Sequence, residues 1–188
     1  MSNLIKPSET LSNLTMLSKP SEREDYEKCE FVNCSFTDIS NLNFINCVFK
    51  NCNLSSCKMN NSKLQGVAFV DCKLLGLNFF QAKDFAFEVY FDKCLLDYAS
   101  FDSKKLNKSE FKSCKMHEVN FTNADLSKTS LIDCDLYEAV FAKTNLSGVD
   151  FTSCSNFAID PEINQVKKAK FLSQDLFRLL TRHDIYIE

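Results

Sequence analysis

A period of five residues runs through most of this sequence. If the large apolar residue of each unit is taken as its centre, one run of centres spans residues 44–79 and a second spans 91–151, after two earlier units at Phe31 and Phe36. Every centre is Phe, Leu or Met. Five matches neither the helical period of 3.6 nor the strand period of 2. We therefore expect a chain that bends once per unit, so that four bends close a square coil of about twenty residues and coils stack about 4.8 Å apart.

The residue two places before each centre is mostly small, and most of the 10 cysteines occupy this position. Cysteine packs as a small hydrophobe, so these thiols are interpreted as core residues, reduced as in other cytosolic proteins. Parallel thiols one strand spacing apart do not form a tetrahedral metal cage, and they disfavour the torsion of a disulfide. If two extra residues between Phe79 and Phe91 bulge outward, one column contains Cys52, Cys72, Cys94, Cys114, Cys134 and Cys154.

Composition narrows the function classes. Lys and Arg number 22 against 25 Asp and Glu, a net charge of −3, so we expect no direct contact with nucleic acid. With 3 Gly there is no phosphate-binding loop. No apolar run approaches the ~20 residues that cross a membrane, and the start of the chain lacks the pattern of a signal peptide. The sequence therefore predicts a cytoplasmic protein without a membrane span.

Catalysis is not expected. Only two histidines are present, and His117 lies near Cys114 and Glu118, which raises a nucleophile or a metal site as one reading. The period directs Cys114 inward and His117 outward, however, so the two side chains would not meet. A coil filled with Phe and Leu also leaves no internal cavity. We predict no catalytic residue, no metal and no cofactor.

Several segments resemble a known repeat. Residues 121–127, FTNADLS, and residues 138–146, which include EAVF and TNL, are similar to the A(D/N)LXX units of pentapeptide-repeat proteins. The resemblance implies an all-β fold, a right-handed quadrilateral β-helix.

Three regions are expected along the chain. Residues 1–25 form a mobile tail or, through Leu4, Ile5, Leu11, Leu14 and Leu17, a loose cap on the first coil. Residues 26–157 form the solenoid, with register breaks near 37–43 and 80–90. Residues 158–188 form a capping and dimerisation module with a short helix.

The break at 80–90 holds more aromatic residues than the inward positions can use. Either Phe85 or Phe87 replaces a ladder residue in a local bulge, or a small loop projects an aromatic side chain toward a partner. Lys104 occupies an inward position, where it either extends to the edge of the core or marks a local distortion.

The last thirty residues are expected to close the solenoid. Asp160, Pro161 and Glu162 read as a helix start, residues 168–171 as a short strand, and Ser173 as the N-cap of a helix over about 174–182. Ile185 and Ile187 alternate with polar residues as in a terminal strand. The predicted cap and dimer residues are Phe171, Leu172, Leu176, Leu179, Leu180, Ile185 and Ile187.

This ending sharpens the resemblance, because it is similar to the C-termini of Qnr-type quinolone-resistance proteins and the microcin immunity protein of the same class. The resemblance implies a homodimer formed through the C-terminus and a rod that mimics duplex DNA to bind DNA gyrase and topoisomerase IV. The sequence departs from the Qnr pattern in having only two extra residues where Qnr proteins carry larger loops.

Charge provides a separate test of DNA mimicry. When residues 89–153 are sorted by side of the coil, two adjacent sides carry eight acids against three lysines, which is complementary to a basic protein surface. A solvated surface needs charges as well, so a scaffold module with another protein partner is the alternative function. The predicted acidic ridge consists of Asp92, Asp97, Glu110, Glu118, Asp133, Asp135, Glu138 and Asp150.

Overall fold

The structure, a computed structural model, describes residues 8–13, 15–16, 25–183 and 185–186. Its strands pair in parallel between successive coils, which makes the fold a β-solenoid. The strands are β1 (Glu9–Ser12), β2 (Thr15–Met16), β3 (Asp25–Glu27), β4 (Cys29–Val32), β5 (Ser35–Phe36), β6 (Asn43–Ile45), β7 (Val48–Lys50), β8 (Lys63–Val70), β9 (Glu88–Asp92), β10 (Glu110–Lys112) and β11 (Ser130–Ile132). The 3-10 helices are Phe79–Gln81, Ser173–Leu179 and Thr181–His183.

The coil has four sides, and the unit centres stack in one ladder on each side. The chain follows the sides in order, so side 1 is opposite side 3 and side 2 is opposite side 4. Side 1 stacks Phe31, Phe49, Phe69, Phe91, Phe111, Leu131, Phe151 and Phe171; side 2 stacks Phe36, Leu54, Leu74, Leu96, Met116 and Leu136; side 3 stacks Ile39, Met59, Phe79, Phe101, Phe121 and Phe141; side 4 stacks Tyr26, Phe44, Leu64, Phe87, Leu106, Leu126, Leu146 and Val166.

These ladders are the hydrophobic core, as the five-residue period predicts. Phe101 is fully buried, and its ring stacks in parallel on Phe79 at 4.5 Å and on Phe121 at 5.4 Å. Offset aromatic stacking adds to the free energy gained from burying apolar area. Three ladder residues that are not Phe, Leu or Met were not among the predicted centres: Tyr26 and Ile39, which are buried, and Val166, which packs against the core.

The two register breaks change the length of a coil by two residues in opposite directions. Most β-bridges between successive coils, which we call rungs, pair residues that are twenty positions apart in the sequence, as Glu110 pairs with Ser130. At the first break Glu30 pairs with Val48, a step of eighteen, because Ile39 follows Phe36 after three residues. At the second break the register shifts beside Gly66, and the step becomes twenty-two.

Left-handed backbone conformations make most of the corners. Among the described residues, twenty-two non-glycine residues have φ between 50° and 66°. Asn and Asp tolerate this region best, and they hold ten of these positions, including Asn51, Asp71 and Asp133. This explains how a chain with 3 glycines turns so often.

The cysteine column is longer than predicted. All ten cysteines are free and buried, and Cys34 joins the column because its amide meets the Cys52 thiol at 3.4 Å. The thiols also act as donors: Cys134 Sγ donates to the Phe111 carbonyl at 3.4 Å, and Cys94 Sγ donates to the Phe69 carbonyl at 3.3 Å. Thr144 Oγ1 makes the equivalent bond to the Phe121 carbonyl at 2.9 Å. The inward position therefore selects small side chains that donate a hydrogen bond to the coil below.

The described part of the N-terminal region lies on the first coil. Strand β1 pairs with β4 in parallel, with Leu11 opposite Phe31, and Leu11 packs against the core. Strand β2 pairs with β5. These residues have the position of a cap rather than of a free tail. Leu4, Ile5, Leu14 and Leu17 lie outside the described residues.

The C-terminal module covers the other end of the core. The ring of Phe171 stacks on Phe151 at 5.3 Å and lies 5.7 Å from Phe157. The Ile159 amide donates to the Arg178 carbonyl at 3.1 Å, and the Arg178 guanidinium lies over the Phe157 ring. These contacts hold the terminal helix against the last coil.

Local predictions for this module need correction. The segment after Leu172 is a 3-10 helix that starts at Ser173 itself, without a side-chain cap bond, so the predicted N-cap was wrong. Asp160 accepts the Glu162 amide at 2.8 Å in a turn rather than in a helix. Residues 168–171 contribute one bridge, at Lys170. Short 3-10 turns form here because the chain follows the edge of the coil.

Ile185 is exposed and not in a strand, and Ile187 lies outside the described residues. No helix in the described part of the chain is long and apolar enough to cross a membrane.

Replacing a stacked ring tests how far stability depends on the ladders. We expect Phe101→Ala to lower the free energy of unfolding by about 3–5 kcal/mol, because it leaves a cavity between two rings. Phe85→Ala is the matched control, since Phe85 is 80% exposed, and its change should stay within about 0.5 kcal/mol. Urea unfolding followed by circular dichroism measures both; equal losses would contradict the ladder as the source of stability.

Candidate partner-binding surface

The predicted acidic ridge lies on two adjacent sides of the solenoid. On side 1, Glu110 and Asp150 precede ladder residues, while Asp92 and Asp133 follow them. The other four acids flank side 2 over three successive coils, and they are Asp97, Glu118, Asp135 and Glu138. The register thus places all eight carboxylates on one half of the surface.

Only part of the ridge is freely accessible. Glu118, Asp133 and Glu138 are exposed, and all three have left-handed backbone conformations at corners, which direct their side chains away from the coil. The carboxylates of Asp92 and Glu110 are half-buried, and one oxygen of Asp92 is buried without a hydrogen-bond partner. The exposed negative charge is therefore concentrated at the corners of two neighbouring coils.

Asp97 was predicted as a surface contact, but it is 9% exposed. Its Oδ1 accepts the His117 amide at 3.0 Å, and its Oδ2 lies 3.2 Å from Lys115 Nζ. The Asp97 carboxylate therefore binds groups of the next coil and is not available to a partner.

Two further ridge acids are also partly occupied. The Asp135 carboxylate lies 2.7 Å from His117 Nε2; partial burial opposes ionisation, but the hydrogen bonds from His117 and Asn156 lower the pKa of Asp135 on balance. Asp150 accepts bonds from Thr152 and Lys170, which lower its pKa to about 2. Both groups are anions at neutral pH whose charge is partly compensated.

His117 does not form a catalytic or metal site with Cys114. The Cys114 side chain is buried in the cysteine column, while His117 turns outward, against Asp135 and 5.4 Å from the Tyr137 ring. Within the residues that the structure describes, no group of three or more His, Cys, Asp or Glu side chains is placed to hold a metal ion.

Exposed apolar side chains accompany the acids, and the sequence analysis had not singled them out. Tyr98 is 61% exposed and Tyr137 is 49% exposed. Both lie on side 2, in the same corner region as Glu118 and Glu138. Leu95 and Ile132 are also exposed on this half of the rod. Aromatic residues ringed by charge are typical of surfaces that bind proteins; a signal in the sequence was the Tyr at outward positions of two units.

The insertion loop, residues 82–86, is the projection that the second break predicts. The structure contains both a ladder replacement and a projecting aromatic residue, while contact with a partner stays a prediction. Phe87 is buried as the side 4 ladder residue, and Phe85 extends into solvent with its ring near Lys63 Nζ, 5.9 Å away. The loop is thus short, but it does present one aromatic side chain.

Lys104 holds the insertion loop in place. Its side chain is 2% exposed, and its Nζ donates to the Ala82 carbonyl and to Asp84 Oδ1, both at 2.5 Å. The ammonium also lies 5.1 Å from the centre of the Phe87 ring. Lys104 therefore does not extend to the edge of the core; it crosses to the coil below and binds the loop from inside.

The predicted cap and dimer residues separate into two groups. Phe171 and Leu179 pack against the core, so they cap the solenoid. Leu172, Leu176, Leu180 and Ile185 are exposed, together with Phe177 and Ile163. This second group of exposed apolar residues, which we call the apolar patch, lies in the C-terminal module.

Removing the Lys104 ammonium should loosen the insertion loop without unfolding the solenoid. In Lys104→Met, whose side chain has a similar length, we expect amide hydrogen exchange in residues 82–87 to accelerate at least about tenfold, because two hydrogen bonds to the loop are lost. Exchange elsewhere should change little. Lys105→Met removes a neighbouring exposed charge and is the control. Unchanged exchange in the loop of Lys104→Met would show that Lys104 does not hold it.

Two family models match the chain. One, described as pentapeptide repeats (8 copies), matches residues 28–66, and the other, described as a pentapeptide repeat region, matches residues 104–176. Together they span more than half of the chain. No curated protein matches the sequence.

Solved structures show the same architecture. A trypsin-treated variant of QnrB1, a plasmid-mediated fluoroquinolone resistance protein, aligns with a TM-score of 0.66 at 21% identity over 96% of this chain and 99% of that chain. Full-length QnrB1 aligns with a TM-score of 0.58 at 20% identity, over 94% and 98%. HetL of the cyanobacterium Nostoc sp. strain PCC 7120, involved in heterocyst differentiation regulation, aligns with a TM-score of 0.50 at 13% identity, over 85% and 81%.

At these identities the structural likeness concerns the fold, and it agrees with the five-residue period, the four-sided coil and the family models. The chain belongs to the pentapeptide-repeat family.

Proposed function

We propose that this protein is a non-enzymatic, cytoplasmic binding protein that mimics duplex DNA and occupies the DNA-binding surface of a type II topoisomerase, DNA gyrase or topoisomerase IV. The observation that supports this most is the exposed charge at Glu118, Asp133 and Glu138, held on a rigid rod at adjoining corners. On this proposal the protein modulates the enzyme or protects it from quinolone-like or peptide toxins.

The ridge carries charge at a wider spacing than the DNA that it is proposed to mimic. Stacked coils repeat at about 4.8 Å, and duplex DNA carries one charge per about 1.7 Å of its axis. The ridge is therefore a sparse version of DNA, and side 2 adds the exposed rings of Tyr98 and Tyr137. Charge would guide the encounter with a basic surface, while the aromatic side chains would supply affinity that phosphate cannot.

The insertion loop offers a second contact. Phe85 projects from side 4 on a loop that Lys104 holds from inside. A fixed loop loses little conformational entropy on binding. We propose that Phe85 contacts the topoisomerase outside its DNA-binding surface.

The protein is proposed to act as a homodimer. The exposed patch of Leu172, Leu176, Phe177 and Leu180 lies at the end of the rod beside the cap. Single exposed apolar residues are common, but a contiguous patch usually marks an interface. A twofold contact there would join two rods end to end and extend the acidic ridge over both.

A scaffold with another protein partner is the second candidate. The observation that favours it is the compensation of the ridge by Lys115 and Lys170, which pair with Asp97 and Asp150. A partner that binds mainly through Tyr98 and Tyr137 would not need to bind DNA.

Gyrase supercoiling, titrated with the protein with and without a fluoroquinolone, tests the proposal. We expect inhibition at micromolar protein, or rescue of supercoiling in the presence of the drug. No effect in either condition on gyrase or topoisomerase IV from the same host would contradict the topoisomerase proposal and favour the scaffold.

Charge reversal then tests the ridge. Glu118→Lys combined with Glu138→Lys should weaken the supercoiling effect at least about tenfold, since both carboxylates would face a basic surface. Glu27→Lys combined with Asp102→Lys changes the net charge equally but lies on sides 3 and 4, and it should act within about twofold of the unmodified protein. If both pairs lose the effect equally, total charge rather than the ridge is responsible.

The dimer is tested by placing a charge in the patch. Leu176→Arg should convert a dimer into a monomer in light scattering coupled to size-exclusion chromatography, because an ion buried in an apolar interface is strongly unfavourable. Phe80→Arg, at an exposed aromatic residue of side 3, is the control and should stay dimeric. A monomeric unmodified protein would disprove this interface.

A further inference from the structure

Side 4 of the solenoid lies opposite side 2, and it is basic in the coils whose side 2 carries acids of the ridge. Its outward positions in four successive coils are residues 105–108, 125–128, 145–148 and 165–168, apart from the inward ladder residues. Asp125 is the one acid among them. The five lysines, which we call the lysine face, are Lys105, Lys108, Lys128, Lys167 and Lys168.

The charges of the lysine face are uncompensated. All five side chains are exposed, and no ion pair joins any of them to an acid within the described part of the chain. Asp125 is already occupied, because its Oδ1 accepts the Ser127 amide and the Asn145 side-chain amide, both at 3.0 Å. Lys115, one of the three lysines on the ridge sides, differs because it is paired with Asp97.

On side 4 of these four coils, the outward side chains other than the lysines are small or polar, and they include Asn107, Ser127, Ser147 and Gln165. None of the exposed large hydrophobic residues in the described chain lies there, whereas side 2 presents Tyr98 and Tyr137. Protein interfaces depend on aromatic and arginine anchors. Contacts to nucleic-acid phosphates come from Arg, Lys, Ser, Thr, Asn, Gln and Tyr side chains, and the lysine face offers Lys, Ser, Asn and Gln without an aromatic anchor.

From this composition we propose that the lysine face binds the phosphate backbone of duplex DNA, without reading its sequence. Three coil steps of about 4.8 Å span about 14 Å, the length of about four base pairs. Flexible lysine side chains reach phosphates on either side of that span. The net charge of −3, which predicts no contact with nucleic acid, conceals this surface because the exposed acids of the ridge, Glu118, Asp133 and Glu138, lie at the two corners of side 2, while the lysines lie on side 4.

The opposite acids do not cancel the lysine face at moderate salt. The Debye length at 0.1 M salt is about 10 Å, and side 2 is separated from side 4 by the full width of the packed core. The side 1 acids lie nearer because side 1 adjoins side 4, but Asp150 is paired with Lys170 and Glu110 is half-buried. A DNA segment on side 4 therefore responds mainly to the nearer lysines. A protein could occupy the acidic half at the same time, since the two surfaces do not overlap.

The inference stands apart from the proposed function. Under that function, the rod would lie between a basic protein surface on one side and DNA on the other. If no topoisomerase binds, the lysine face still predicts DNA binding by the protein alone. The test therefore uses purified protein and DNA without an enzyme.

Fluorescence anisotropy of a labelled 30-base-pair duplex, titrated with the full chain, measures the binding. At 50 mM salt we expect a Kd of roughly 10–100 µM, within the range of non-specific binding, that weakens steeply toward 200 mM salt. Two duplexes of different sequence should bind alike. No binding at 50 mM salt up to about 1 mM protein would overturn the proposal.

Matched triple variants localise the site. Lys105→Gln, Lys108→Gln and Lys128→Gln together should weaken binding at least about tenfold and flatten the salt dependence. Lys58→Gln, Lys73→Gln and Lys93→Gln together remove the same charge from exposed positions on sides 3, 2 and 1, and they should keep the affinity within about twofold. Equal losses in the two variants would overturn the lysine face as the site.

An acidic peptide distinguishes DNA from a protein partner. Poly-glutamate of matched total charge, added as a competitor, should displace the duplex less well than unlabelled DNA, because it lacks the fixed spacing of the phosphates. If poly-glutamate competes as well as DNA, the face recognises acidic chains in general and the assignment to DNA is wrong.

Discussion

The structure depends on the stacking of each ladder residue on the residue at the same position of the next coil. The rings of Phe79, Phe101, Phe121 and Phe141 overlap in parallel, and the backbone bonds of each rung hold this register. A change in the length of a coil is tolerated only where it leaves the ladders aligned. This is why the deletion before Ile39 and the insertion before Phe87 both occur between rungs, with a ladder residue present in each coil.

Much of this could be predicted because the period repeats in every unit. The stacked core and the cysteine column follow from spacing alone, and the two-residue bulge follows from the steps between cysteines. Tyr26 and Ile39 were missed because neither is Phe, Leu or Met, although each lies five residues before the next ladder residue, Phe31 and Phe44. The terminal helix was misread at Ser173, since a 3-10 helix lying along a coil edge has no apolar period of its own.

The surface was harder to predict than the core. The five-residue period predicts on which side of the coil a carboxylate lies, but not which groups it binds there. Asp97 was therefore predicted to contact a partner protein, whereas its carboxylate accepts the His117 amide. The inward Lys104 was ambiguous for the same reason, because its partner, the Ala82 carbonyl, belongs to a segment outside the period. Side-chain pairs between neighbouring coils decide which charges remain available to a partner.

The pairing of each rung with the next coil, nearly always twenty residues away, has a mechanical consequence. If the two ends were pulled apart along the axis, the coils would be released one after another from an end. Each coil of about twenty residues would lengthen the chain by about 65–70 Å, and the coil that contains the insertion loop would add about 7 Å more. The coils would therefore give nearly equal steps in a force–extension trace, and a single longer step would mark the position of the insertion loop.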